Sequence, residues 1–501
     1  MSIPQALMTG VDNNESQDLL IETDVLEPNV LNRSQAVFVI PKKGTVLDSK
    51  SALKMRVNWE GYADATNTDV GGKLFSGLLG MIKNTRLYAS GQLISRLDNA
   101  GEKIHLDRQF NDQEYKEQYD DTKHGSSQGF YVADGIAQSG VNGAIINSDE
   151  NGGERSNASP PVISGSKYTF RGVGKSADRN GLEMFVVLDE LFPMLKDFPL
   201  PVRFLKDEIR IEIDWEQDKS KWLYVAGTAV TDNLASISID SVVLFLDYLT
   251  YNQELDNETK ERINGPGISI PFRQTAVITK VMPGSATAQT DLTEDVLLGQ
   301  EGRAVMKIFV AKKYPNALTG LTGGLNQGNV FQGSCRSEAL LNQKYNFVVN
   351  DLLVYDRNVQ SLKESYAYFS YTGEKPGTCY PEAWNYNNSY GAQTTNTDVL
   401  YSTNDGNTAD QVILGRAPAV GMVQSGIKGQ QNWDSVDLAK FGSKLNPQNA
   451  MRIGATPIIY RNVRDVTAGD VRTGGAVSLT IFVEYLRLFD LRGGDLSVRD
   501  L

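Results

Sequence analysis

Cysteine and histidine are nearly absent, with two of each in 501 residues. Cys335 and Cys379 cannot build a disulfide-rich scaffold. Added to His105 and His124 they match no ligand spacing of a zinc centre, so both cysteines read as free thiols. No run of about 18 or more apolar residues occurs, which excludes a membrane-spanning helix as the organising element. The opening MSIPQALMTGVDNNESQDLL has neither a basic leader nor an apolar core of signal-peptide length. The chain is therefore expected to be made and kept inside the cell, in a reducing compartment, or released by lysis. Positive charge is also in deficit: 49 Lys and Arg stand against 61 Asp and Glu, a formal net charge of -12. That balance argues against a broad surface gripping phosphate backbones. With only 17 prolines beside 46 glycines, large-scale disorder is not indicated either.

What is present is ordinary globular composition, 40% hydrophobic and 22% charged, in a chain too long for one core. Short runs of apolar alternation separated by Gly, Asn, Asp and Ser dominate, which is an all-β pattern. The clearest strand follows LFPMLKDFPLPVRFLKDE: Ile209, Ile211, Ile213 and Trp215 share one face, while Arg210, Glu212 and Asp214 share the other. Pro199 and Pro201 push Phe198 and Leu200 into extended geometry and end any helix begun around Asp189 to Leu195. Further strands are expected at 36–40, 53–59, 85–94, 184–188, 236–249, 275–281, 304–311, 347–355, 457–461 and 477–488. TDLTEDVLL (Thr290 to Leu298) reads as a short helix, with a threonine cap and early acids. Long segments rich in Gly, Asn, Ser, Asp and Tyr lie between the strands, at 98–166 and 363–437.

The chain also repeats itself. SVVLFLDYLTY from Ser241 matches SLTIFVEYLRL from Ser478, at an offset of 237 (485 minus 248). RSQAVFV from Arg33 matches RQTAVIT from Arg273, at an offset of 240 (273 minus 33). Similar offsets predict two copies of one β-domain, each opening on an R-x-x-A-V strand and closing on an F-x-D/E-Y-L strand. NQELDNETKERINGPG (252–267) reads as the linker between them. Expected boundaries are an N-terminal arm at 1–32, a first domain at 33–251, the linker, and a second domain at 268–501 whose tail LRGGDLSVRDL runs beyond the last strand.

Chemistry-bearing motifs are weak. Gly174-Lys175-Ser176 ends like a phosphate-binding loop, but Thr169 stands where the first glycine belongs and no apolar helix follows. GGKLFSGLLG (Gly71 to Gly80) reads as a loop leading into a packed segment. His105 and His124 lie among Asp107, Glu114, Glu117, Asp120 and Asp121 without a ligand spacing. Neither histidine is placed to activate a serine or cysteine nucleophile. Trp59, Trp215, Trp222, Trp384 and Trp433 could stack on sugars, yet strand tryptophans such as Trp59 and Trp215 are more often core. No catalytic, cofactor-binding or metal-ligating residue is therefore assigned, and no cofactor.

The Leu-Pro-x-Arg-Phe-Leu lead-in to the alternating Ile-Arg-Ile-Glu-Ile strand, together with the duplication, resembles the double jelly-roll major capsid proteins of virophages and polinton-like viruses. The resemblance implies two tandem jelly-roll β-sandwiches of about eight strands each, with long loop insertions and few helices. It also implies a structural rather than enzymatic protein. Such chains form homotrimers of nearly hexagonal outline that tile an icosahedral virion, meeting penton and minor capsid proteins and, in some shells, an internal membrane, without sequence-specific nucleic-acid binding. The loop segment Tyr366 to Tyr401 would interlock subunits. Two other readings share the strands: a carbohydrate-binding or adhesive β-sandwich, and a glycan-cleaving enzyme needing two carboxylates in a cleft.

Overall fold

A computed structural model describes residues 19–60, 71–74, 77–89, 91–108, 110, 129–131, 182–206, 208–217, 223–226, 236–313, 343–360, 362–372, 433–439, 450–466 and 476–501. Elements are numbered along the chain. In the N-terminal half, β1 (Leu19–Leu26), β13 (Ser236–Tyr251), β5 (Ala52–Glu60) and β10 (Leu182–Val187) form one antiparallel sheet in that order, with β4 (Val46–Leu47) also on β13. A second sheet runs β2 (Val30–Leu31), β3 (Gln35–Ile40), β11 (Ile209–Trp215), β7 (Ile82–Ala89) and β8 (Gln92–Asp98). A small third sheet joins β12 (Leu223–Ala226), β6 (Gly71–Leu74) and β9 (Gly129–Tyr131). In the C-terminal half, β14 (Ile268–Met282), β22 (Val477–Arg492), β16 (Ala304–Lys313) and β19 (Asp434–Asp437) are paired in that order. To this sheet β20 (Met451–Arg452) adds on β16 and β23 (Asp495–Asp500) on β22. The last sheet is β15 (Gln289–Gly299), β21 (Ile458–Val466), β17 (Gln343–Val349) and β18 (Leu352–Leu353).

Period-two alternation dictates this arrangement. Strand β11 buries Ile209, Ile211, Ile213 and Trp215 against Leu53, Met55, Leu244 and Leu246 of the opposite sheet, closing the first core. In the second, Val310, Val436, Ile481 and Val483 meet Phe347, Tyr460 and Val296. The two sandwiches are wound alike. The paths β1-β13-β5-β10 and β3-β11-β7-β8 repeat strand for strand as β14-β22-β16-β19 and β15-β21-β17-β18. Successive strands of this set alternate between sheets except at the hairpins β7–β8 and β17–β18, which is jelly-roll winding.

Residue equivalences follow from register. Phe245 of β13 lies between Val25 and Ala52, and Phe482 of β22 lies between Val277 and Phe309. The match between 241–251 and 478–488 thus joins equivalent strands. The match between Arg33 and Arg273 does not: the former leads into β3 of one sheet and the latter lies in β14, whose true counterpart is β1. Strand β1, LLIETDVL, escaped notice because little of it alternates. It places residues 19–26 in the first sandwich, inside the stretch expected as an arm.

Two further expectations are corrected, for Thr290 to Leu298 and for the tail, and the connection between the halves gains a helix. Thr290 to Leu298 lies in β15, because Leu292, Glu294, Val296 and Leu298 are the less exposed positions, at a spacing of two, against β21, and pairing overrides the capping pattern. The connection at 252–267 holds a helix, capped by the Asn252 side chain, which accepts from the Leu255 amide at 2.8 Å. Its Leu255 packs under Val46, Leu249 and Tyr251. The tail folds back as β23 through Gly493 and Gly494 instead of running free.

Candidate assembly surface

The proline-rich lead-in is the wedge between the sandwiches. Two short 3-10 turns, Pro193–Lys196 and Val202–Phe204, are separated by a stretch holding Pro199 and Pro201, and their apolar side chains are buried. Phe198 reaches into the other half, its ring centroid 4.9 Å from Phe489 and 6.3 Å from Phe272. Beside it the Asp197 carboxylate accepts from the Arg273 amide at 2.7 Å and from Arg273 Nε at 3.0 Å. Gln274 donates to the Arg96 carbonyl, and Arg487 donates to the carbonyl of Ile94 at 3.2 Å. Hydrophobic contact and charge-assisted hydrogen bonds thus clamp β8 to β14 and β22.

A second clamp is α1 (Ala100–Arg108) of the first half. It packs so closely on the 3-10 turn Gly77–Met81 that a Cβ on Gly101 would lie 2.0 Å from the Leu79 carbonyl oxygen. Leu106 of α1 and nearby Phe110 then cover the outer face of the second sandwich, over Phe309, Ala311 and Phe482. Lys103 is buried, with Nζ 2.5 Å from Asp107 and 2.9 Å from Glu484 of β22. Burial disfavours the Lys103 cation, but Asp107 and Glu484 outweigh that and hold it charged. Burial likewise opposes ionisation of Glu484, and Lys103 with Lys307 overcomes it, lowering Glu484 to about 2.

Among the described residues, no such cover lies on the equivalent outer face of the first sandwich. Val25 is 63% exposed and Phe185 39%, and Phe245 is half-buried between them, its ring 6.1 Å from that of Phe185. Lys54 Nζ sits 5.5 Å from the Phe185 centroid. Next to them Asp247, the twin of Glu484, accepts from the Thr23 hydroxyl at 2.7 Å. One face of a matched pair is therefore covered within the chain, and its counterpart presents apolar side chains to solvent.

The weak sequence motifs gain no site here. Cys335, Cys379, His124, Trp222, Trp384, the glycine-lysine-serine turn and most of Tyr366 to Tyr401 lie outside the described residues. His105 falls in α1, and Gly71 to Gly80 supplies β6 and the turn under Gly101. Among the described residues no three His, Cys, Asp or Glu side chains gather where they could hold a metal ion. Trp215 and Trp433 are buried in core clusters. The roles of Lys103, Asp197, Arg273 and Glu484 at the joint have no signature in the sequence. Arg273 and Glu484 carry a signal only as members of the repeated R-x-x-A-V and F-x-D/E-Y-L strands.

No known family profile matches the chain, and no curated protein matches it. Solved structures do. The cryo-EM structure of the Sputnik virophage matches with a TM-score of 0.55 at 10% identity, covering 96% of this chain and 88% of that one. PBCV-1 VP54, as fitted into a Sputnik reconstruction, gives 0.52 at 11% identity over 97% of both chains. The Faustovirus major capsid protein gives 0.51 at 11% identity, covering 94% and 90%. At such identities the likeness is one of fold, and it extends across both sandwiches: the chain has the double jelly-roll fold of viral major capsid proteins.

Proposed function

We propose that the protein is a major capsid subunit that assembles as a homotrimer of pseudo-hexagonal outline and tiles an icosahedral virion without catalysing a reaction. The observation carrying this reading is the unequal fate of two equivalent faces. Phe482 and its neighbours are covered within the chain, by Leu106 and Phe110 of the first half together with Phe369 and Trp433, whereas Val25 and Phe185 are exposed and Phe245 is half-buried. A contact that repeats the internal joint between chains joins the second half of one copy to the first half of the next. Three such heterologous contacts close a ring of six similar sandwiches. In this division the first sandwich includes β1 and ends at Tyr251, and the second begins at Ile268. Penton and minor capsid proteins are the remaining partners, and the virion is its location. Of the five tryptophans weighed as sugar platforms, Trp215 and Trp433 offer no exposed ring. Native mass measurement and negative-stain imaging test the proposal: trimers with six-fold-like outline are expected, and a chain that stays monomeric at all concentrations overturns it.

A further inference from the structure

The interior of the second sandwich contains an amine and a carboxyl group in a setting that no assembly role requires. Asp434 opens β19 opposite Val310, and Lys312 lies two residues further along β16. Both project inward with Val310 and Val436, so they are diagonal neighbours on the core face. Nζ of Lys312 is 2.5 Å from Oδ1 of Asp434, and neither side chain has any solvent exposure. From the opposite sheet the Tyr460 hydroxyl donates to Oδ2 at 2.6 Å, and it accepts in turn from Asn462 Nδ2 at 3.2 Å. Burial pulls the Lys312 amine below the usual lysine range, more strongly than Asp434 holds it up. Burial also keeps the Tyr460 phenol protonated as a donor.

The geometry points to an intramolecular isopeptide bond between Lys312 and Asp434, formed by condensation of the two side chains after folding. Moving the shared proton from Nζ to Oδ1 turns the ion pair into a neutral amine and a carboxylic acid, the reactants of amide formation. A desolvated lysine is a nucleophile. Its nitrogen forms the C–N bond at Cγ while Tyr460 stabilises the negative charge growing on Oδ2. The Cγ–Oδ1 bond then breaks, and Oδ1 leaves as water with the acid proton and one amine proton. Oδ2 remains as the amide oxygen, still bonded to Tyr460. No oxidant, metal or co-reactant enters, and the dry core disfavours the reverse hydrolysis. Left as an ion pair, the two groups contribute little net stability, because desolvation offsets their attraction. Joined, they close a loop between the adjacent strands β16 and β19 across a sequence separation of 122.

The test is the mass of the full-length chain under denaturing conditions, with a peptide map. The folded protein is expected to be one water lighter than its sequence and to yield a branched peptide joining Lys312 to Asp434. Lys312→Arg should restore the full mass, and Tyr460→Phe should slow the loss of water in newly made protein roughly tenfold or more. Because the unaltered chain is itself diagnostic, variants that fail to fold do not blunt the test. Recovery of Lys312 and Asp434 from folded protein only in separate linear peptides overturns the inference, as does a lost water located at other residues.

Discussion

Single residues set the joint between the sandwiches, and two of them make sharp predictions. Glu484→Gln leaves Lys103 buried with Asp107 alone, so a loss of about 2 kcal/mol in denaturant unfolding at neutral pH is expected, below the cost of stripping a buried charge completely. Glu484 ionises more readily in the folded chain than its ordinary value of 4.5, reaching about 2. Its stabilising contribution is therefore complete above that ordinary value and is lost as pH falls toward about 2. Stability measured across this range should fall more steeply for the parent chain than for Glu484→Gln. Gly101→Ala drives a methyl group into the Leu79 carbonyl, and backbone on both sides leaves no side chain to swing away. A loss of about 2 kcal/mol or more is expected, seen as a lowered denaturation midpoint. The role of neither residue is legible in the sequence, which marks Glu484 only as part of a repeat, since each role depends on what a remote segment brings against it.

At the scale of elements, strands with clean alternation were legible and those without it were not. Strand β11 needs no context, because its odd and even residues differ in kind. Strand β15 was misread because TDLTEDVLL satisfies helical capping as well as inward spacing at 292, 296 and 298. Strand β1 carries Leu20, Ile21 and Val25 on solvent-facing positions, so no binary pattern marks it; its pairing with β13 decides its state. The helix at Gln253–Asn264 was hidden by its polarity, and one cap defines its start. Replacing Asn252 with Ala removes the bond to the Leu255 amide, and a loss of about 1 kcal/mol is expected in thermal or denaturant unfolding. Just past this helix Gly267 adopts φ +82 under the Leu491 carbonyl, a conformation that glycine alone takes without strain.

The whole molecule repeats one sandwich twice and places different things on the two equivalent faces. If a second copy covers Val25, Phe185 and Phe245, then Phe245→Asp introduces a charge into a buried contact and is expected to weaken trimers roughly tenfold or more, while the monomer stays folded with only the smaller loss of its contact to Phe185. Sedimentation across a concentration series reads the first effect and circular dichroism the second. Unchanged trimers in this variant would place the subunit contact elsewhere.

From sequence alone came the all-β class, the duplication and the closing strand of each copy, because side-chain alternation is a local property that survives any tertiary arrangement. Which early strand matches β14, which acid meets Lys103, and which of two like faces stays open were decided only by the folded chain. Those facts depend on register and on contacts between residues hundreds of positions apart, and no local pattern of polar and apolar side chains encodes them.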